Sequence, residues 1–155
     1  MSEHGAKVNW RAEGDFSAGR YSRAHEIRFD GGAIVKGSSS PSVVPLPYSD
    51  PAGVDPEEAL IASASACHML WFLNLAQRAG LVVVAYEDDA TGSVGRDRAG
   101  RTAVTRIRLR PRIAFSGESP NETAVKHLHK QAHEACFIAN SLKTEIVIED
   151  PVKEA

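Results

Sequence analysis

The chain has 155 residues, 43% of them apolar and 25% charged, with a formal net charge of −2. That composition suits one folded domain and excludes intrinsic disorder. The slight negative charge argues against a dedicated nucleic-acid binder, which usually carries a basic patch. Only two cysteines are present, Cys67 and Cys136, so neither a disulfide-stapled scaffold nor a four-cysteine zinc site can form.

The N-terminal stretch MSEHGAKVNW lacks the apolar run of an export signal, and a cytoplasmic location is expected. Lys7 to Ala12 reads as a short strand. Arg20 to Phe29 alternates roughly and ends at Asp30-Gly31-Gly32, a hairpin turn signal, with Ala33 to Lys36 as the returning strand. Gly37 to Pro56 then holds Pro41, Pro45, Pro47, Pro51 and Pro56. Proline fixes φ and removes a backbone donor, so this is loop. A loop of about 20 residues is long for a compact domain, and it is either a surface insertion or a functional segment.

Asp55-Pro56-Glu57-Glu58 opens a helix: an acid at the cap, proline at the first helical position, acids in the first turn. It runs to about Ala79 and stops at Gly80. Ala59 to Ala76 is eighteen residues without Asp, Glu, Lys or Arg, close to the length of a membrane span. Much of it is Ala and Ser, with His68 and Asn74 inside, so a buried core helix is the better reading.

Leu81 to Ser93 and Thr102 to Ala114 read as two long strands, joined by a turn over Gly95–Gly100. Arg106, Arg108 and Arg110 form a solvated face of the second strand. Ser119-Pro120-Asn121-Glu122 opens a second helix lasting to about Ala139, and Leu142 to Glu149 is a last strand. The order is β-β-β, α, β-β, α, β, an α+β fold with mostly antiparallel strands.

On these grounds each cysteine is either a buried filler or a working thiol. Two segments bear on the choice. Val54-Asp55-Pro56-Glu57-Glu58-Ala59-Leu60-Ile61-Ala62-Ser63-Ala64-Ser65-Ala66-Cys67 resembles the helix that carries the peroxidatic cysteine in the OsmC/Ohr family, the osmotically inducible and organic-hydroperoxide-resistance proteins. Ala132-His133-Glu134-Ala135-Cys136, followed by Asn140-Ser141-Leu142-Lys143-Thr144-Glu145-Ile146, is similar to that family's second-cysteine segment and last strand. Together with the element order, the resemblance spans residues 7 to 149 or so. It departs in two places: His68 stands where the family often has Phe, and Phe137 where it often has Pro. A divergent branch is implied.

The resemblance implies a single OsmC-like domain over residues 1–155, an intertwined homodimer, and a peroxidase that uses thiols without metal, flavin or other cofactor. Cys67 would attack the peroxide and Cys136 would resolve the product as a Cys67–Cys136 disulfide. An external thiol, lipoyl-type in the relatives, would then reduce it. The attacking species is a thiolate, an ordinary cysteine titrates near pH 8.5, and apolar burial raises that value. A cation must therefore offset burial. In the family an arginine does this, held by the Pro-Glu glutamate, which maps onto Glu57. The arginine maps onto Arg23, with Arg20 as runner-up because it follows Gly19. On one straight helix Glu57 and Cys67 stand about 15 Å apart, so a long arginine side chain, a kink or a second subunit must join them.

Leu70, Trp71, Phe72 and Phe137 suit an organic hydroperoxide, or are simply core. His68 points about 100° away from Cys67, so it forms no obvious Cys-His pair. The roles of His68 and His25 stay open. Three other readings remain. One is a metal site from His129, His133 and Cys136, which share a helix face. Another is a cysteine hydrolase or acyl transferase. The third is a dimeric binding protein of this fold with idle thiols.

Overall fold

The computed structural model describes residues 2–149. It divides into two compact units, Met1–Ala59 and Leu60–Ala155.

In the first unit, β1 (Ala6–Asn9), β4 (His25–Phe29) and β5 (Ile34–Gly37) form an antiparallel sheet in the order β1-β4-β5. The expected turn at Asp30-Gly31-Gly32 joins β4 to β5, with Gly32 at φ 90°. The strand expected from Arg20 to Phe29 is broken. Its first residues form β3 (Arg20–Tyr21), which pairs with β2 (Gly14–Asp15) as a small separate hairpin. Gly14 is required there: its φ is 96°, and a Cβ would lie 2.4 Å from the Arg20 carbonyl oxygen. The break falls at Ser22–Ala24, where Arg23 N–H leaves the ladder and donates to the Tyr48 carbonyl at 2.8 Å.

The proline-rich segment is tied at its base. Val54 N–H donates to Lys36 O at 2.9 Å and Ser38 N–H to Val54 O at 3.1 Å. The buried Ser38 hydroxyl accepts Asp50 N–H at 2.9 Å, and Lys36 pairs with Asp50.

The first helix, α1 (Pro56–Arg78), starts as its sequence specifies. Asp55 Oδ1 accepts Glu58 N–H at 2.7 Å and Glu58 Oε2 accepts Asp55 N–H at 3.0 Å, a reciprocal capping box. It stops at Gly80 (φ 76°), where Leu81 N–H returns to Ala76 O and Gly80 N–H to Gln77 O, both at 3.0 Å.

In the second unit, β6 (Val82–Asp88) pairs with β9 (Pro111–Ser116), while β7 (Thr91–Arg96) pairs with β8 (Thr102–Leu109). The two long strands expected from sequence are thus each cut in two and shared between two sheets. Both cuts fall at one corner. Pro111 has no N–H to continue the ladder, and Arg110 N–H donates to the Asp88 carboxylate at 2.6 Å instead of to a strand. The last strand, β10 (Glu145–Ile148), runs parallel to β8, and Glu145 and Glu149 pair with Arg106, Arg108 and Arg110. The arginine face is therefore solvated but matched by carboxylates.

Beyond the strands come α2 (Glu122–Ala135) and α3 (Phe137–Ser141). One core cluster joins Phe72 and Ala76 of α1 to Leu128 and Ala132 of α2, over Val83, Ile113 and Phe115. The other joins Ala64 of α1 to Ile107 and Leu109 of β8. The helix lies close on β7, since a Cβ at Gly92 would meet Ile61 at 2.5 Å.

By length and composition α1 could cross a membrane, with a mean hydropathy of 1.5. It serves instead as a core helix, but only a stripe of it is buried: Ala64, His68, Phe72 and Ala76. Ala62, Ala66 and Leu70 are exposed, which an all-round core helix would not show.

Candidate active site

Cys67 and His68 sit on α1 between the two core clusters, next to the corner where the sheets part. Ser65, two residues earlier, donates to Asp88 at 2.5 Å and so ties α1 to that corner. Cys67 is half-buried. Trp71, one turn on, meets the Phe137 ring edge-on at 5.6 Å.

Cys136 stands at the end of α2, which was expected to last to about Ala139. The second helix stops at Ala135, and Cys136 is extended (φ −68°, ψ 112°), closing α2 and capping α3. Its N–H donates to His133 O at 3.2 Å, and its sulfur accepts Ala139 N–H at 3.4 Å. Only 1% of Cys136 is exposed. This break turns its thiol toward α1, where it interacts with the Cys67 thiol. Burial first, then that contact with Cys67, pushes the Cys136 thiol up to about 11. Both cysteines are free thiols. The structure thus brings together two residues 69 positions apart in sequence.

Arg23, Arg20 and Glu57 belong to the first unit. The Arg23 guanidinium lies 3.6 Å over the Tyr21 ring and donates to the Tyr21 carbonyl and to Gly19 O, the latter at 3.5 Å. The His25 ring nitrogen Nδ1 lies 2.9 Å from the Arg23 carbonyl, and His25 packs on Gly37, where any Cβ would clash with its ring. His25 thus shapes the turn that carries Arg23. Arg20 is committed elsewhere, to Asp15 at 3.1 Å in the exposed hairpin. Glu57 is half-buried on α1, ten residues before Cys67, and has no ion pair among the described residues. No Glu57–Arg23 pair is formed in this state.

Sequence reasoning missed one feature. His68 lies in the buried stripe of α1, 1% exposed, with its Nε2 3.0 Å from Nδ1 of His129 on α2 and the two rings stacked at 5.3 Å. Burial first, then His129 and His133, hold His68 down to about 4, against an ordinary 6.5. It is therefore neutral at pH 7. The available signal was the spacing: positions 64, 68, 72 and 76 form one helical face, so a histidine at 68 needs a buried partner.

His129 is thus turned toward His68. Among the described residues, no group of three or more His, Cys, Asp or Glu is placed to hold a metal ion. The set His129, His133 and Cys136 does not converge.

The family model described as OsmC-like protein matches residues 49–149. An OsmC-like protein of unknown function from Vibrio cholerae is 48% identical, with a TM-score of 0.93 over 97% of this chain and 99% of that one. An OsmC-like protein from Mycoplasma pneumoniae is 16% identical, with a TM-score of 0.71 over 96% of each chain. An organic hydroperoxide resistance protein from Elizabethkingia anophelis is 17% identical, with a TM-score of 0.69 over 100% of this chain and 98% of that one. The last two share the fold. No curated protein matches the chain. With its α+β architecture, its two matched cysteine segments and these likenesses, the chain belongs to the OsmC-like protein family.

Proposed function

We propose that this protein is a cysteine-based hydroperoxide reductase, acting on organic hydroperoxides and also, less well, on hydrogen peroxide. The observation that carries the reading is the meeting of Cys67 and Cys136 across α1 and the end of α2. The Cys67 thiolate attacks the terminal oxygen of R–O–O–H. The O–O bond breaks, an S–O bond forms, and the alkoxide takes a proton to leave as alcohol. The Cys136 thiol then attacks the Cys67 sulfenic acid. An S–S bond forms, and the sulfenic hydroxyl leaves as water with the thiol proton. An external thiol, of the lipoyl dithiol type that the family resemblance implies, reduces the disulfide.

A buried thiol is the weaker nucleophile until its proton leaves, so the division of labour follows from exposure. Cys67, half-buried, meets the substrate, and Cys136, buried, waits for the sulfenic acid. Trp71 and the exposed Phe137 make an apolar approach beside both sulfurs, which favours an alkyl or aryl peroxide. Arg23 supplies the cation and Glu57 orients it. Its present partners, a ring face and two carbonyls, leave the guanidinium charge free to be recruited. Two free thiols fit a reducing, cytoplasmic setting.

The working form is a homodimer. Ala62, Ala66 and Leu70 leave one apolar face of α1 open to solvent, and small side chains let a second helix approach closely. Light scattering should give a mass near twice 16.7 kDa; a monomer at micromolar concentration would overturn this part. The enzyme reading itself is tested by consumption of tert-butyl hydroperoxide with a dithiol reductant. A wild-type protein that binds the peroxide without turning it over would instead be the binding protein with idle thiols.

A further inference from the structure

The reaction above makes no use of the His68–His129 contact. We propose that His68, through its bond to His129, is a positioning residue for disulfide formation, holding α1 and α2 in the register that keeps Cys136 within reach of Cys67. This rests on the reading of the two cysteines as redox partners.

The geometry is specific. His68 directly follows Cys67 on α1, and His129 lies two turns before Cys136 on the α2 side. The histidine bond and the thiol contact are therefore two ties between the same pair of elements. Beside these ties α1 and α2 share an apolar contact, Phe72 and Ala76 against Leu128 and Ala132. Apolar contacts hold two helices together but tolerate sliding and rotation. A 3.0 Å bond between stacked rings, 10° apart in plane, tolerates little of either. Phe72 backs the His129 ring at 4.5 Å and fixes it further. A phenyl ring at 68 would fill the same space without a directional bond. His68 Nδ1 is buried and has no hydrogen-bond partner among the described residues. A new S–S bond needs about 2.05 Å between sulfurs and a narrow range of Cα separations, so register matters most at this step.

His68 works while neutral. The groups facing His68 are His129 and His133 from α2; on its own helix stands Cys67. From β6 comes Tyr86, which packs on Phe72 at 5.8 Å and stays protonated because of burial and Asp88. Apart from Cys67, which points about 100° away around the helix, none of these offers a negative charge to an imidazolium. A proton on His68 therefore opposes the packing that brings the thiols together.

The test separates positioning from peroxidase chemistry. Wild type, His68→Phe, His68→Gln and His129→Gln are first equilibrated with reduced and oxidised glutathione, and the Cys67–Cys136 disulfide is measured by mass spectrometry. His68→Phe should lower the effective concentration of one thiol at the other by about tenfold or more. His68→Gln, which can still bond His129, should restore it to within about threefold. In wild type that effective concentration should fall between pH 6.5 and 4, and His68→Gln should not show the fall. The variants are then given tert-butyl hydroperoxide with dimedone as sulfenic-acid trap. His68→Phe should form sulfenic acid at the wild-type rate, within about twofold, and lose disulfide. A wild-type effective concentration in folded His68→Phe, or in His129→Gln should His68→Phe fail to fold, overturns the proposal. A wild type that forms the disulfide with glutathione but no sulfenic acid with peroxide overturns the proposed function and leaves the positioning role standing.

Discussion

Cys67→Ser is expected to lower hydroperoxide turnover by roughly a thousandfold or more, with the fold unchanged. Serine keeps the shape of the side chain but replaces a polarisable thiolate by a hydroxyl that stays protonated near neutral pH, and an alcohol does not attack peroxide oxygen. The same assay ranks the other residues. Cys136→Ser should complete the first step and stall as sulfenic acid unless an external thiol intervenes, because the thiol that would displace the hydroxyl is gone. Arg23→Ala should cost about a hundredfold, the usual effect of removing one group that stabilises developing negative charge. Arg20→Ala should stay within about twofold, since Arg20 is paired with Asp15 on an exposed hairpin. Turnover retained in Cys67→Ser removes the central residue of the mechanism. A large loss in Arg20→Ala with none in Arg23→Ala moves the cation to the neighbouring position.

The second large effect is on stability. His68 titrates near 4 in the folded chain, against 6.5 for an ordinary imidazole, because of burial and then His129 and His133. The folded value is the lower one, so as pH falls the unfolded chain takes up the proton first. Stability is therefore full above pH 6.5 and declines as the pH drops from 6.5 toward 4, by about 3 kcal/mol in all. Below that it no longer changes on this account. The range belongs to the imidazole. Asp15, Asp50 and Asp97 are each held below 3.8, by Ser17, by Lys36 and by the Arg101 backbone N–H, so their contributions are lost at lower pH. Urea denaturation at pH 7.5 and at pH 4.5 checks the decline. His68→Gln, which cannot take up the proton, should flatten the curve. Equal wild-type stability at the two pH values would remove the buried, neutral histidine from the account.

What the sequence made legible was local. The Asp55-Pro56-Glu57-Glu58 start and the Gly80 stop of α1 lie in residues that touch one another, and both ends are built as those residues dictate. The two cysteine segments stood out because each sits at an element end or in an apolar run of marked pattern. What stayed hidden depends on contacts between distant residues. Alternation with Ile107, Leu109 and Ile113 runs through Arg110 without interruption. The corner there comes from Asp88 capturing the Arg110 N–H, 22 residues away. Pro111 and the acidic run Glu87-Asp88-Asp89 were the local signs of it. The break at Cys136 follows no glycine or proline; the sulfur itself caps the next helix. The partner of His68 lies 61 residues along the chain, and only packing α1 against α2 reveals it. The family resemblance narrowed the proposed arginine to Arg23, with Arg20 as runner-up. The structure separates the two by their present partners, since one is ion-paired and the other lies over a ring.

The most direct test of the whole account is a free-thiol count and intact mass of the purified protein before and after one equivalent of cumene hydroperoxide. With only two cysteines in the chain, any disulfide within it is Cys67–Cys136. The account predicts that both thiols disappear together, that each chain loses two hydrogens in mass, and that a dithiol restores both. A chain that keeps both thiols, gains oxygen while Cys136 stays reduced, or links to a second chain would contradict it.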